Sequence, residues 1–163
     1  MRAAAAEDAL PDGPFTVEDA ERRGIGRNAV ARLALDGKLH RLARGLYQRF
    51  DSEPSDTALA EAALRAPNTT ICLATALARH GLVDYIPSRI DLALPRGQHR
   101  PATHAPINWH SFDVVTFHVG RTRIDLEGTD FQVGLYSAER SIVDAFRLQH
   151  VEGYELAIDA LRT

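Results

Sequence analysis

Arginine is the residue type through which this chain could do chemistry, and its spacing indicates anion binding. The 163 residues include 18 arginines and a single lysine, Lys38. Between Arg22 and Arg49 there are eight basic side chains and one acidic one, Asp36, a balance of +7 over 28 residues. Guanidinium groups pair with phosphate oxygens and with the major-groove edge of guanine. This segment is therefore a candidate polyanion-binding surface, and an ordinary solvated surface is the alternative.

The net charge of −3 is divided unevenly along the chain. Residues 1–50 carry 9 basic and 7 acidic side chains, whereas residues 51–163 carry 10 and 15. The polar stretch Asp51–Ser55, which contains a proline, predicts a domain boundary between these parts. We therefore expect a basic domain at residues 1–50 and an acidic domain at residues 51–163 that is available to a protein partner.

The first domain has the pattern of helices followed by a hairpin. The predicted elements are a short helix, a helix capped by Thr16, a third helix and two strands, over residues 3–10, 16–23, 27–36, 39–42 and 46–50. Gly24 and Gly37 are suited to end the second and third helices, and Gly45 lies in a short loop between the strands. A helix–turn–helix followed by a two-stranded ribbon is typical of a winged helix-turn-helix.

The third predicted helix has one apolar and one polar side. At about 100° per residue, the apolar side consists of Ala29, Val30, Leu33 and Ala34. The opposite side consists of Arg27, Asn28, Ala31, Arg32 and Leu35. Arginine can pair with guanine and asparagine with adenine in the major groove, so Arg27, Asn28 and Arg32 are candidate base readers. Leu35 argues against base reading, unless it packs under the hairpin.

The hairpin and the residue before it predict contacts with the DNA backbone. We expect Lys38 and Arg41 to hold phosphates, which fixes register without reading sequence. Arg44 at the hairpin tip is expected to reach a phosphate or the adjacent minor groove. The candidate DNA-binding residues are therefore Arg27, Asn28, Arg32, Lys38, Arg41 and Arg44.

The second domain is predicted to be a small mixed α/β domain, so that the fold class of the chain is α+β. Helices are predicted over residues 55–66, 70–80, 137–149 and from 153 onward, and strands over residues 89–94, 114–119, 123–126 and 130–135. Residues 95–106 contain three prolines and predict a loop. Ser137 is predicted to cap a helix on which Arg140 and Asp144 form a surface ion pair. Cys72 is expected to be an inert core residue, and His80 a hydrogen-bonding group at a helix end.

Catalytic, metal-binding and membrane functions have little support. Glycine-rich phosphate loops and the hydrolase nucleophile motif are absent from the sequence. His99, His104 and His110 do not have the spacing of metal ligands, so we expect no metal and no cofactor. No nucleophile–base–acid set emerges, so we expect no enzyme activity, with an enzyme acting on nucleic acid as the rival. No secretory signal or spanning apolar stretch is evident, which predicts a cytoplasmic protein.

Several sequence segments, taken together, match a known pattern. They are Phe15–Ile25 and Arg41–Tyr47 in the first domain, and Ile71–Leu82, Leu94–Gly97 and Tyr136–Phe146 in the second. These segments resemble the AbiEi-type antitoxins, a family of type IV toxin–antitoxin systems that is linked to abortive phage infection. The resemblance extends over nearly the whole chain.

The resemblance implies a repressor that binds inverted repeats in its own operon promoter and counteracts a nucleotidyltransferase-type toxin. The DNA contacts of the family carry over to the six candidate residues named above. The alternative is a protein-interaction module that binds the toxin or another basic partner, with little DNA binding. The oligomeric state stays open, because two monomers can also fill two half-sites.

Overall fold

A computed structural model of the chain describes residues 7–52 and 55–162, which fold as two compact units. The first unit contains the described residues up to Leu64 together with Asp125–Gln132. The second contains Arg65–Ile124 and the described residues from Val133 onward. The domain boundary between residues 50 and 51 stays a prediction. Residues 3–6 of the first predicted helix lie outside the described residues.

The N-terminal elements follow the predicted order of helices and then strands. They are α1 (Val17–Arg22), α2 (Arg27–Leu35), β1 (Leu39–Ala43), β2 (Leu46–Arg49) and α3 (Thr57–Arg65). The hydroxyl of Thr16 accepts a hydrogen bond from the Asp19 amide at 3.2 Å, and the Asp19 carboxylate accepts one from the Thr16 amide at 2.7 Å. This capping box fixes the start of α1, so the predicted cap at Thr16 is confirmed.

The core of the first unit holds the helices against the hairpin. Its buried side chains are Leu10, Phe15, Ala20, Ile25, Val30, Leu33 and Leu39. Phe15 and Tyr47 exchange two backbone hydrogen bonds, at 2.8 and 2.9 Å, so that the segment before α1 pairs with β2. Strands β1 and β2 are antiparallel. The helices and the hairpin expected from the sequence therefore pack on one continuous apolar core.

The second unit is built on a five-stranded mixed sheet. Its elements are β3 (Thr70–Ile71), α4 (Leu73–Arg79), β4 (Ile90–Pro95), β5 (Ile107–Phe112), β6 (Arg121–Asp125), β7 (Gln132–Tyr136), α5 (Ala138–Arg147), α6 (Gln149–Glu152) and α7 (Tyr154–Arg162). The strand order is β5-β4-β3-β7-β6. Strand β3 is parallel to β7 and antiparallel to β4, and β4 is parallel to β5. The predicted α+β fold class is confirmed.

The centre of this sheet corrects one predicted helix. Residues 70–80 were expected to form one apolar helix, but Thr70–Ile71 is a strand paired on both sides, and α4 begins only at Leu73. Two β-branched residues that are fully buried fit a central strand, and the pairing comes from segments distant in sequence. Periodicity alone does not separate such a short buried strand from a helix.

The segment between β4 and β6 corrects one further prediction and contains a strand that was not predicted. The strand expected at residues 114–119 is a turn, in which Val115 is 88% exposed. The Asp113 carboxylate accepts a hydrogen bond from the Val115 amide at 2.9 Å, and such local bonds compete with a strand ladder. Strand β5, which the sequence analysis did not predict, instead follows the proline-rich loop and pairs with β4 along six residues.

Three predictions about single residues of the second unit are confirmed. Nε2 of His80, at the end of α4, lies 2.8 Å from the carbonyl oxygen of Tyr136. Cys72 is fully buried in the apolar cluster beside the sheet. Ser137 caps α5 by accepting a hydrogen bond from the Arg140 amide at 3.2 Å, also as predicted.

Asp144 on α5 is buried between two arginines. The predicted pair with Arg140 forms at 2.8 Å, but the side chains are only 2% and 10% exposed, so its placement at the surface was wrong. Arg147 lies 3.0 Å from the same carboxylate. Arg140 also donates to the carbonyl oxygens of Thr116 and Val119, at 2.8 and 2.7 Å. The buried pair therefore holds the turn after β5 against α5.

We expect Asp144→Asn to destabilise the second unit by about 3–5 kcal/mol, because Arg140 would be left buried without a counter-ion. Urea unfolding followed by the fluorescence of Trp109, the single tryptophan, would measure the change. Glu155→Gln, which changes an exposed acid on α7, is the matched control and should stay within about 0.5 kcal/mol of the wild type. Equal stability of the two variants would contradict the assigned role of Asp144.

Candidate nucleic-acid interface

Helix α2 buries one face and exposes the other, as its periodicity predicted. Val30 and Leu33 are 1% and 4% exposed, and Ala29 and Ala34 pack beside them. The opposite face is exposed along its whole length and consists of Arg27, Asn28, Ala31, Arg32 and Leu35. Leu35 is 87% exposed, so it does not pack under the hairpin. The predicted division of the helix into two faces is therefore confirmed.

The turn before α2 fixes where the exposed face begins. Gly24 ends α1 with a φ of +81°, a conformation that glycine adopts without strain. The Ile25 amide then donates to the Ala20 carbonyl oxygen at 2.9 Å, while the Ile25 side chain enters the core. Arg27 and Asn28, the first two residues of α2 after this turn, are exposed to solvent.

Four of the eight basic side chains from Arg22 to Arg49 are paired with carboxylates of the first unit. The pairs are Arg22 with Asp19, Arg23 with Asp130, Lys38 with Glu7 and Arg49 with Asp51. The neighbouring carboxylate offsets the attraction of each of these cations for a phosphate. Sequence reasoning missed the pairing because two partners are distant in the chain, by 107 residues for Arg23 and by 31 for Lys38.

The other four basic side chains form no ion pair with any residue in the described ranges 7–52 and 55–162. They are Arg27, Arg32, Arg41 and Arg44, and all four are exposed. The first two lie on α2, the third on β1, and the fourth in the turn between the strands. Helix α2 packs against β1. These four arginines and Asn28 therefore belong to the same compact unit. Their role as DNA contacts stays a prediction.

Lys38 differs from the other predicted site residues. Its ammonium nitrogen lies 2.5 Å from a carboxylate oxygen of Glu7. This hydrogen bond and the charge of Glu7 raise the pKa of Lys38, because both stabilise the protonated ammonium. To hold a phosphate, Lys38 would have to leave Glu7 or share its protons with both anions.

The charge of each unit differs from the division expected at residue 50. The first unit carries 14 acidic and 9 basic residues, and the second carries 8 and 10. The acidic excess therefore lies in the same unit as α2, in part because Asp125–Gln132 belongs to it. The positive potential of the α2 face is local, and the surrounding carboxylates should repel a polyanion elsewhere on this unit.

The segment Asp125–Gln132 is tied to the first unit by a backbone bond and a charged pair. The Gly13 amide donates to the Gly128 carbonyl oxygen at 2.7 Å. A Cβ atom on Gly13 would lie only 2.9 Å from that oxygen, so glycine permits this approach. The guanidinium of Arg23 donates to both carboxylate oxygens of Asp130, at 2.6 and 2.8 Å. These hydrogen bonds hold the pKa of Asp130 below its usual range.

The histidines considered as metal ligands are not gathered into a site. Nε2 of His110 lies 3.0 Å from the buried carboxylate of Asp91, whereas His99 and His104 are exposed in the loop before β5. Within residues 7–52 and 55–162, no group of three or more histidine, cysteine or acidic side chains could hold a metal ion. No helix in this part of the chain has the length and hydrophobicity that crossing a bilayer requires.

The segment that builds α1, α2 and the hairpin has known relatives. Residues 7–49 match the family model described as transcriptional regulator, AbiEi antitoxin. The family resemblance predicted from the sequence is thereby confirmed over this AbiEi segment. The matched segment includes all six candidate DNA-binding residues.

Wider comparisons concern the fold. A comparison with curated proteins gave no match. Among solved structures, the chain is similar to the RV2827C protein from Mycobacterium tuberculosis, with a TM-score of 0.50 and 22% identity. The similarity covers 70% of this chain and 45% of that one, so the chain spans less than half the length of that relative. At this identity the likeness shows the fold alone.

We expect Asp130→Asn to lower the free energy of unfolding of the first unit by up to about 1 kcal/mol at pH 7, because the partly exposed pair with Arg23 is lost. The pKa of Asp130 is lowered in the folded state, so its contribution is full above the unfolded value, about 4. It is lost as the pH falls through the lower folded value. The difference from the wild type should therefore shrink below about pH 4.

Urea unfolding at a series of pH values, monitored by the NMR signals of the backbone amides of α1, would measure this difference. Glu127→Gln is the matched control, since it removes an exposed acid from the same turn. A penalty for Asp130→Asn that grows on acidification would contradict the assigned pairing.

Proposed function

We propose that the chain is a DNA-binding transcriptional regulator in which α2 enters the major groove. The observation that carries the proposal is the selective exposure of Arg27, Asn28 and Arg32 on one face of α2, while half of the basic side chains nearby are paired. The AbiEi match over residues 7–49 supports a regulator of this kind. A helix with this polarity fits the major groove, whose width admits an α-helix.

The residues of α2 have separate roles in the proposal. Arg27 and Arg32 pair with O6 and N7 of guanine, and Asn28 pairs with N6 and N7 of adenine. Arg27 and Arg32 are five residues apart, which is about 7.5 Å along the helix axis. That distance corresponds to about two base-pair steps of about 3.4 Å each. One protomer therefore reads a short half-site of three or so base pairs.

The hairpin supplies contacts with the backbone. Arg41 and Arg44 bind phosphates beside the groove, and Lys38 does so when it is released from Glu7. These contacts fix the register of α2 on the duplex without reading sequence. Inverted half-sites would be filled by two protomers, one on each half-site.

Within the cell, this regulator is proposed to act as an antitoxin of the cytoplasm. It represses its own toxin–antitoxin operon by excluding polymerase from the promoter, and it counteracts a nucleotidyltransferase-type toxin. The family description of the AbiEi segment supports the antitoxin role. The proposal includes no catalytic step.

The charge of the two units bears on the alternative, a protein-interaction module that binds the toxin or another basic partner with little DNA binding. That module relied on an acidic second domain. The second unit carries two more basic than acidic residues, so it has no acidic excess to offer a basic partner. The acidic excess lies in the first unit instead, but the exposed Arg27, Asn28 and Arg32 and the AbiEi match favour DNA binding by α2.

We expect the full chain to bind the duplex upstream of its own coding sequence. The logarithm of the association constant should fall linearly as the logarithm of the salt concentration rises. Arg41→Ala and Arg44→Ala should each reduce the magnitude of this slope by about 0.9, since each removes one phosphate contact. Arg89→Ala, which removes an exposed arginine from the second unit, is the control and should leave the slope unchanged. Affinity that does not depend on salt would overturn the proposal.

Arg32→Ala should weaken binding to the preferred duplex by about 1–3 kcal/mol and relax the preference at one base pair. Fluorescence anisotropy on the preferred duplex and on a shuffled duplex of equal composition would separate base reading from phosphate binding. An equal loss on both duplexes would instead assign Arg32 to a phosphate.

Glu7→Gln should strengthen binding and steepen the salt slope by up to about 0.9, because it releases Lys38 to a phosphate. Glu21→Gln removes the same charge from an exposed position on α1 and is the matched control. The gain specific to Glu7→Gln should vanish when Lys38→Gln is added. Identical binding by the Glu7 and Glu21 variants would show that Lys38 takes no part in binding DNA.

A further inference from the structure

Ala31 and Leu35 form an apolar strip at the centre of the exposed face of α2. The base contacts proposed for Arg27, Asn28 and Arg32 do not involve this strip. Relative to Arg27, the side chains lie at about 40° for Ala31, 80° for Leu35, 100° for Asn28 and 140° for Arg32 around the helix. Ala31 and Leu35 are one turn apart and both are exposed, Leu35 to 87%. The strip therefore lies between the two arginines that flank the face.

The exposed side chain of Leu35 would be stabilised if a ligand covered it. Burying a leucine side chain stabilises a complex or a fold relative to leaving it exposed to water. Leu33, two residues earlier, is buried in the core, so the exposure of Leu35 follows from the rotation of α2 that buries Val30 and Leu33. A partner that covers this strip must also accommodate Arg27 and Arg32.

We propose that Ala31 and Leu35 contact the C5-methyl groups of thymines, so that the site read by α2 contains A·T pairs beneath this strip. The thymine methyl is the apolar group that the major groove displays. The arginines on both sides of the strip, which form no ion pair within residues 7–52 and 55–162, complement a polyanion rather than an apolar protein surface. This inference rests on the proposed DNA binding and adds to it a base preference that charge alone does not provide.

The spacing of the strip sets which bases it touches. Ala31 and Leu35 are separated by about 6 Å along the helix axis, close to two base-pair steps. They therefore contact different base pairs. Leu35 has the longer side chain, so it makes the larger part of the apolar contact, and Ala31 permits close approach of the helix to the groove.

The test removes single methyl groups from the DNA. Selection from a library of random duplexes with the full chain gives the preferred duplex, in which each thymine is then replaced by deoxyuridine. This replacement deletes the C5-methyl group and leaves the base pairing intact. At one or two positions we expect affinity to fall about fourfold, the factor expected for one buried methyl group. In Leu35→Ala, deoxyuridine should have no further effect at one of these positions.

Leu161→Ala is the matched control, because Leu161 is 62% exposed on α7 of the second unit. It should keep the wild-type affinity and the wild-type response to deoxyuridine. Full sensitivity of Leu35→Ala to the missing methyl group, or insensitivity of the wild type at every thymine, would overturn the inference. Loss of self-association in Leu35→Ala with unchanged DNA binding would also overturn it and assign the strip to a second copy of the chain.

The same experiment separates the two levels of the account. A chain that enriches no duplex and binds none contradicts the proposed function itself. A chain that binds duplexes in a salt-dependent manner without preferring A·T pairs under α2 keeps the proposed function and contradicts the thymine contact.

Discussion

The burial of Val30 and Leu33 determines the rotation of α2, and the candidate interface depends on that rotation. With these two side chains in the core, Arg27, Asn28, Ala31, Arg32 and Leu35 must face solvent. A rotation by one residue, about 100°, would expose the apolar side and bury part of the basic one. The Ile25 side chain and its hydrogen bond to Ala20 hold the start of α2 in this setting. The packing of a few aliphatic side chains thus selects the surface offered to a ligand.

A second constraint is the distribution of carboxylates around the basic side chains. The first unit has an acidic excess, yet four arginines near α2 and the hairpin form no ion pair with the described residues. Asp130 and Glu7 hold Arg23 and Lys38 and so remove them from the unpaired set. The local positive surface is therefore defined by which cations lack an acidic neighbour, and the acidic remainder of the unit restricts where a polyanion can approach.

Local patterns predicted most of the first unit. The Thr16 cap, the glycine helix ends, the hairpin and the two faces of α2 follow from sequence neighbours. Contacts between distant segments were out of reach, namely the bond of Asp130 to Arg23 and the insertion of Thr70–Ile71 between two strands. Burial of Asp144 was missed for the same reason, because a helical i, i+4 spacing fixes the pair with Arg140 but not its depth. The candidate site could be predicted from the sequence. Which of its basic side chains are free of a carboxylate partner depends on ion pairs between distant segments.

The central claim is that the exposed face of α2 binds in a major groove. Dimethyl sulfate protection on the preferred duplex tests it directly, because this reagent methylates N7 of guanine in the major groove and N3 of adenine in the minor groove. The account predicts that the full chain protects guanine N7 within each half-site and that Arg32→Ala restores the reactivity of one such guanine. Protection confined to adenine N3, or guanine protection that Arg27→Ala and Arg32→Ala leave unchanged, would contradict it.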